Sequence, residues 1–376
     1  MFSQFVRTGA LKADAVAVRW ENTRGLLITG LLLGLFIWLI AAFYVTPRTV
    51  LPWPHAHNYA RLSEQPFNFE QSNPLQYRIL APVIGYVTGF RGRALFPFIP
   101  LLFGWFLLSA IYIHYRKQAF TPTAALIFTA FIGFSNTLFI PLYSPGYTDT
   151  ITYFFIFMAY AGAHKNILFG LLLGLAVFNH ESALFAVPPL LVYFFYKHYH
   201  KNIMYKAQTL LWVAIPIVLY FLYRYYVSKQ TKVELDHNYY LNTSNIIYVI
   251  KRIVLLYPLG IFYAFRLFWF FPAYIVLRAA YKRELKNALP VFVFILFISL
   301  QLLIAYDITR LLCLSFPVIL LCAEKAHKIW GDRKFVCFSV PLIIFNFLVP
   351  PYFIAAEGPV ATMPVPLHWL YLLVGE

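Results

Sequence analysis

Residues 26–44, LLITGLLLGLFIWLIAAFY, carry no charged side chain from Leu26 to Tyr44. About 20 such residues, coiled as a helix, cross the hydrocarbon core of a bilayer. The run is too long for the apolar core of a signal peptide and lacks a clean small-residue cleavage site, so it reads as a retained first span behind Arg7, Lys12, Arg19 and Arg24. The same theme recurs near 94–113, 122–142, 151–163, 167–178, 183–196, 207–226, 259–279, 288–306, 311–323 and 335–354. With 61% hydrophobic and 12% charged residues, the chain lies far from the half-apolar, quarter-charged balance of soluble domains. The expected fold class is all-α, a polytopic integral membrane helical bundle of about 11 transmembrane helices. Several segments fall short of a full span, which points to helices that are broken or enter only part-way. "YRILAPVIGYVTGF", 77–90, is short and interrupted by Pro and Gly, which suits an interfacial or half-buried helix. The expected organisation is one integral membrane domain over 1–376. Within it, 46–93 is a first outer loop with interfacial helices and 227–258 a second outer segment.

Charge orients this bundle. With the N-terminus in the cytoplasm, the inner segments hold Arg7, Lys12, Arg19, Arg24, Arg116, Lys117, Lys165, Lys197, Lys201, Lys206, Arg278, Lys282, Arg283, Lys286, Lys325, Lys328, Arg333 and Lys334, eighteen of the 30 basic residues. The opposite orientation inverts the bias and breaks the positive-inside tendency. The formal charge of +16 is therefore chiefly a topology signal. Its basic inner face favours membrane lipids of anionic type as partners, and charges scattered between spans argue against nucleic acid. Cys313, Cys322 and Cys337 fall in or beside apolar sequence as small hydrophobes, with no Cys/His ligand spacing.

Three acids interrupt apolar sequence: Asp149 in "YSPGYTDTITYFF", Glu181 in "VFNHESALF" and Asp307 in "LIAYDITRLLCL". Each turn joins an outgoing to an incoming helix, so all three are expected on the outer side, where His180 and its neighbours line a shared cavity. An acid inside a membrane segment is costly and commonly functional. The plain structural reading makes Asp149 or Ser182 a helix cap and Asp307 with Arg310 a local pair three residues apart.

Further polar groups can join that face. The first outer loop brings His55, His57, Asn58, Tyr59, Arg61, Glu64, Glu70, Gln76 and Arg78, and the second brings Lys229, Lys232, Glu234, Asp236, His237, Lys251 and Arg252. Arginine grips phosphate through a bidentate fork, although snorkelling to the interface is its commoner use. His55 and His57 with Glu181 are the one donor set that a divalent cation would find; no dense ligand motif accompanies them, and "HES" is not HExxH.

A long first outer loop after the first span, short paired helices, outer-face acids and the late "DITR" turn resemble the GT-C superfamily of integral-membrane glycosyltransferases. The likeness is to bacterial members related to polyprenyl-phosphate-dependent mannosyltransferases. It implies a bacterial inner membrane location and transfer of a sugar from a lipid-linked donor at the outer leaflet. The family's usual catalytic acid lies in the first outer loop, soon after the first span. Here "TPRTVLPWPHAHNYARL" holds no acid. The resemblance thus implies Asp149 as general base, ahead of Glu64 or Glu70, with Glu181 and His180 orienting acceptor or base. Asp307 would hold Arg310, and Arg310, Arg78 and Arg252 would face phosphate, with His57 beside the substrate. A lipid phosphate leaving group needs no nucleotide pocket, and neither GxGxxG nor a P-loop is present. The competing reading is a transporter or flippase in which Asp149, His180, Glu181 and Asp307 line a polar pathway.

Overall fold

Gly25, at φ 84°, divides an N-terminal helix α1, Phe2–Arg24, from the apolar α2, Leu26–Tyr44. A residue with a side chain is strained there, so the junction stays fixed at the point where charge gives way to apolar sequence. The computed structural model describes residues 2–45, 54–69, 75–163, 165–231, 243, 247, 251, 254–285, 288–303, 307–355 and 358–361. After α2 come α3 Pro54–Glu64, α4 Leu80–Thr88, α5 Gly92–Leu95, α6 Phe98–Lys117, α7 Pro122–Gly133, α8 Asn136–Tyr143, α9 Asp149–Ala161 and α10 Asn166–Asn179. A 3₁₀ turn, Glu181–Ala186, leads into α11 Val187–Lys197 and α12 Ile203–Gln230. The chain continues with α13 Tyr257–Phe265, α14 Phe270–Tyr281, α15 Leu289–Leu300, α16 Ile308–Leu312 and α17 Phe316–Leu348. It closes on an antiparallel hairpin, β1 Tyr352–Ala355 with β2 Gly358–Ala361.

The fold is helical, as composition requires. Among the described residues four helical stretches are long and apolar enough to cross a membrane: Leu26–Tyr44, Gly92–Lys117, Ile203–Gln230 and Val254–Tyr281. The pair α7 and α8, bent by 49°, makes a fifth if counted as one span. The expected count of about 11 is therefore not reached by length and composition. The reason is local: apolar runs are cut by residues that stop helices. Ser135 Oγ accepts from Thr137 N and starts α8 afresh inside the run 122–142. Pro188 at the second position of α11 likewise marks a new first turn.

Two copies of GLLLG set the closest approaches. Gly30 and Gly34 of α2 face α6, where a Cβ on Gly34 would stand 2.7 Å from Ser109 N. Gly170 and Gly174 of α10 face α12, where a Cβ on Gly174 would stand 2.9 Å from Pro216 Cγ. Small residues four apart let helix backbones meet, the usual basis of packing where lipid removes the hydrophobic drive.

The bundle has two distinct ends. α6 starts beside Thr150, whose Oγ1 donates to Pro100 O at 2.5 Å, and ends at Arg116, whose Nε donates to Glu21 Oε1 at 2.7 Å. At 1.5 Å per residue these ends lie roughly 24 Å apart. The Arg116 end also holds Asp14, which accepts from Thr123 N at 2.7 Å and so caps α7 from α1. There α17 breaks at Gly331, φ 74°, and the chain turns back. His327, before the break, accordingly packs on Phe335 after it, and also on Phe120 in the turn between α6 and α7.

Arg266 is buried inside the apolar stretch Val254–Tyr281 and clamps two helix interruptions at once. Its Nη1 donates to Val349 O at 2.8 Å beyond α17, its Nη2 donates to Phe134 O at the α7/α8 bend, and its guanidinium lies 5.2 Å from the centre of the Phe139 ring. A cation suits helix ends whose carbonyls have no partner within the helix.

Candidate functional site

The end of the bundle opposite Arg116 gathers the turns that carry the three acids. Asn179, the last residue of α10, donates from Nδ2 to Thr148 O at 2.8 Å and to Thr152 Oγ1 at 2.7 Å. That pair of bonds joins the end of "FNHES" to the start of "TDTIT". Tyr153 OH, one turn into α9, donates to Arg310 O at 3.1 Å and brings in "DITR". Ile354 N of β1 donates to Thr309 Oγ1 at 3.0 Å, so the C-terminal hairpin backs the same turn.

Within this cluster two arginines organise the acids. Arg310 Nη2 contacts Asp307 Oδ2 at 2.6 Å, while its Nη1 lies 3.9 Å from Asp149 Oδ2 and its guanidinium 4.8 Å from the centre of the Tyr147 ring. The local Asp307–Arg310 pair of the structural reading is present, and Asp149 shares its arginine. Arg78 binds Glu181 with two hydrogen bonds, Nε to Oε2 at 2.7 Å and Nη2 to Oε1, and its Nη1 donates to Tyr59 OH at 3.0 Å. Such a fork fixes both side chains in plane. Arg78, expected to face phosphate, is thus committed to Glu181.

The two carboxyls differ in kind. Burial alone pushes the Glu181 carboxyl up, but the Arg78 guanidinium overrides it and holds the group well below the usual carboxylate range. Burial raises Asp149 above its ordinary value, and Arg310 only partly opposes it. Asp149 is 7% exposed, and its Oδ2 has no hydrogen-bond partner among the described residues. It does not serve as a cap: the N-cap of α9 is Thr148, with no side-chain capping bond. His180 is buried, accepts at Nδ1 from Ser182 N at 3.2 Å and so caps the 3₁₀ turn itself.

The remaining sequence candidates separate. His55 on α3 stands at the exposed rim, its ring 6.3 Å from that of Tyr147. Its neighbour His57 is two positions on, roughly 200° around the helix, and faces elsewhere. No cluster of three His, Cys, Asp or Glu side chains able to hold a metal occurs among the described residues, so His55, His57 and Glu181 do not form a ligand set there. Glu64 is exposed at the end of α3, beside Gly92 and away from this cluster: a Cβ on Gly92 would stand 2.7 Å from Glu64 Oε1. Glu70 and Arg252 lie outside the described residues. Sequence reasoning named Tyr59 only as one of many polar groups of the first outer loop and gave Tyr147 no role. Tyr59 is buried within α3 and its hydroxyl accepts from Arg78, while Tyr147 lies in the polar turn before α9, a pattern too common to single it out.

Comparison with known protein families, curated proteins and solved structures finds no match to this chain.

Proposed function

We propose that the protein is a membrane glycosyltransferase that moves a sugar from a polyprenyl-phosphate donor to an acceptor hydroxyl at the outer face, with its N-terminus in the cytoplasm. The observation that carries this reading is the Asp149 carboxylate. It is buried, raised by that burial above its ordinary value, without a hydrogen-bond partner at Oδ2 among the described residues, and 3.9 Å from a guanidinium. Those are the properties of a general base poised beside an anion-stabilising group. Glu181, locked to Arg78, is poorly suited to take a proton and serves instead to fix the floor of the site.

In this mechanism the acceptor oxygen attacks the anomeric carbon as the bond from that carbon to the phosphate oxygen breaks. The acceptor proton passes to Asp149 Oδ2. The polyprenyl phosphate leaves with the bonding electron pair, and Arg310 balances its charge while Asp307 holds the guanidinium in place. Reconstitution of the full chain in vesicles with radiolabelled polyprenyl-phosphate mannose, and separately glucose, tests the proposal. Release of lipid phosphate with label on a new hydroxyl supports it, provided Asp149→Asn abolishes both. Label crossing the bilayer without release would instead mark a transporter.

A further inference from the structure

Five polar atoms in the cluster lack a hydrogen-bond partner among the described residues: Asp149 Oδ2, Asn179 Oδ1, His180 Nε2, Arg310 Nε and the Thr148 hydroxyl, which can donate or accept. Asp149, Asn179 and His180 are 7%, 0% and 6% exposed. Buried polar atoms in folded proteins are nearly always paired, so five on adjoining turns call for a ligand. The Asn179–Thr148 bond places the two helix ends side by side, and Arg310 is in reach of Asp149.

The chemistry of these atoms is mixed. The Asn179 amide donates both its known bonds from Nδ2, which leaves Oδ1 as an acceptor. His180 accepts at Nδ1 from Ser182 N, so the proton of the neutral ring sits on Nε2. Burial first, and then Arg78, keeps that ring uncharged by lowering its pKa well below the usual range. The site therefore presents two acceptors, Asp149 Oδ2 and Asn179 Oδ1, and two donors, His180 Nε2–H and Arg310 Nε–H. A phosphate dianion supplies only acceptors and would set oxygen against oxygen at Asp149 and Asn179. An ammonium group supplies only donors. A hydroxyl supplies both.

We infer that the end of α10, through Asn179 and His180, forms a subsite for the vicinal hydroxyls of a sugar ring, with Asp149 Oδ2 at its edge left to the acceptor hydroxyl. The inference rests on the transferase reading and deepens it: the glycosyl ring sits between Asn179 and His180, and the phosphate lies on the Arg310 side. His180 is a binding residue here, donating from Nε2.

The test uses the full chain in nanodiscs, with saturation-transfer NMR of free mannose and glucose and phosphorus NMR of inorganic phosphate. His180→Asn keeps an acceptor for Ser182 N and loses the Nε2 donor; His180→Gln carries an amide donor close to the Nε2 position. Saccharide affinity is expected to fall about ten-fold in His180→Asn, the scale of one hydrogen bond, and to recover in His180→Gln. An arm that needs no variant is selective ¹⁵N labelling of the 10 histidines. A buried Nε2–H resonance that shifts on adding mannose supports the subsite. Preloading with polyprenyl-phosphate mannose is expected to remove the saccharide signal, because the ring belongs to the donor; a signal that persists overturns that placement. Absence of saccharide binding, binding of phosphate alone, or saccharide affinity indifferent to both variants overturns the inference. Lipid-phosphate release by the wild type alongside any of those results retains the transferase reading without this subsite. Saccharide binding lost in His180→Asn with no release by the wild type retains the subsite and removes the reading.

Discussion

Arg78 and Glu181, 103 positions apart, are joined by two hydrogen bonds between side chains that are 11% and 26% exposed. The pair fastens the first polar segment to the α10–α11 hairpin. Its geometry makes Glu181→Gln more than a removal of charge. The neutral amide leaves the Arg78 guanidinium half-paired in a buried place. Glu181→Gln is expected to destabilise the protein by about 2–3 kcal/mol, a little under the cost of breaking a fully buried pair. Arg78→Met combined with Glu181→Leu should cost less than Glu181→Gln alone, because no charge is then left unpaired. Unfolding in graded SDS measures both, and an unchanged midpoint in Glu181→Gln would show the pair to be idle.

Asp149→Asn should behave in the opposite way. The carboxylate oxygen it changes makes no hydrogen bond among the described residues, and burial already disfavours its charge. Stability should hold or rise slightly, while transfer from polyprenyl-phosphate sugar falls by about 10²–10⁴-fold, the usual contribution of a general base. Full transfer by a well-folded Asp149→Asn would remove this residue from the chemistry.

The two acids also predict opposed pH behaviour. Glu181 has a folded pKa depressed below its ordinary 4.5, so its stabilising effect is full above that value and is lost as pH falls beneath it. Asp149 has a folded pKa raised above 3.8, so the protonated, inactive form accumulates at a pH where the fold is still intact. Activity should therefore fail on the acid side before stability does. A transfer-rate profile laid over SDS unfolding midpoints from pH 4 to 8 checks the order; coincident losses would contradict it.

How much of this was legible depended on how local each signal was. The grouping of Asp149, Glu181 and Asp307 followed from hairpin alternation, since each acid marks a turn and successive turns alternate sides. Asp307 with Arg310 could be read from a spacing of three. The Arg78–Glu181 bond could not, because no periodicity links the end of the first polar loop to a turn a hundred residues on. Arg266 is a similar case: in "FYAFRLFWFF" nothing foretells that one arginine reaches the carbonyls of both Phe134 and Val349. The span count suffered for another reason. Hydropathy measures the length of an apolar run, whereas the 49° bend between α7 and α8 comes from the single capping serine at 135.

Topology can be tested with residues the fold leaves open. Thr148 and Ile308 are buried, at 1% and 0% exposure, so cysteines placed there would report burial rather than side. Gln65 just past α3 and Arg333 beside the Gly331 turn are both exposed and belong to opposite ends of the bundle. With Cys337→Ser as background, and with Cys313 and Cys322 buried, Gln65→Cys should react with an impermeant maleimide in intact cells. Arg333→Cys should react only after permeabilisation. The reverse pattern would invert the orientation and place the acid cluster in the cytoplasm.

Arg310 gives the sharpest test of the donor site, because its guanidinium does three things at once. It pairs with Asp307 at 2.6 Å, stands 3.9 Å from Asp149 and covers the Tyr147 ring. Lysine keeps the charge but cannot hold Asp307 and a phosphate in one plane, and it stacks less well on an aromatic face. If Arg310 receives the leaving phosphate, Arg310→Lys should raise the apparent KM for the polyprenyl-phosphate donor about ten-fold or more and lower kcat as well, with a modest change in unfolding midpoint. Asp307→Asn should be milder, since Arg310 keeps its charge and its Tyr147 contact. If the pair is only a brace at the entrance of α16, each change costs about 0.5 kcal/mol or less and donor kinetics stay as they were. Donor titrations on purified Arg310→Lys and Arg310→Ala separate the cases, and unchanged affinity in both would take Arg310 out of the site and weaken the transferase reading with it.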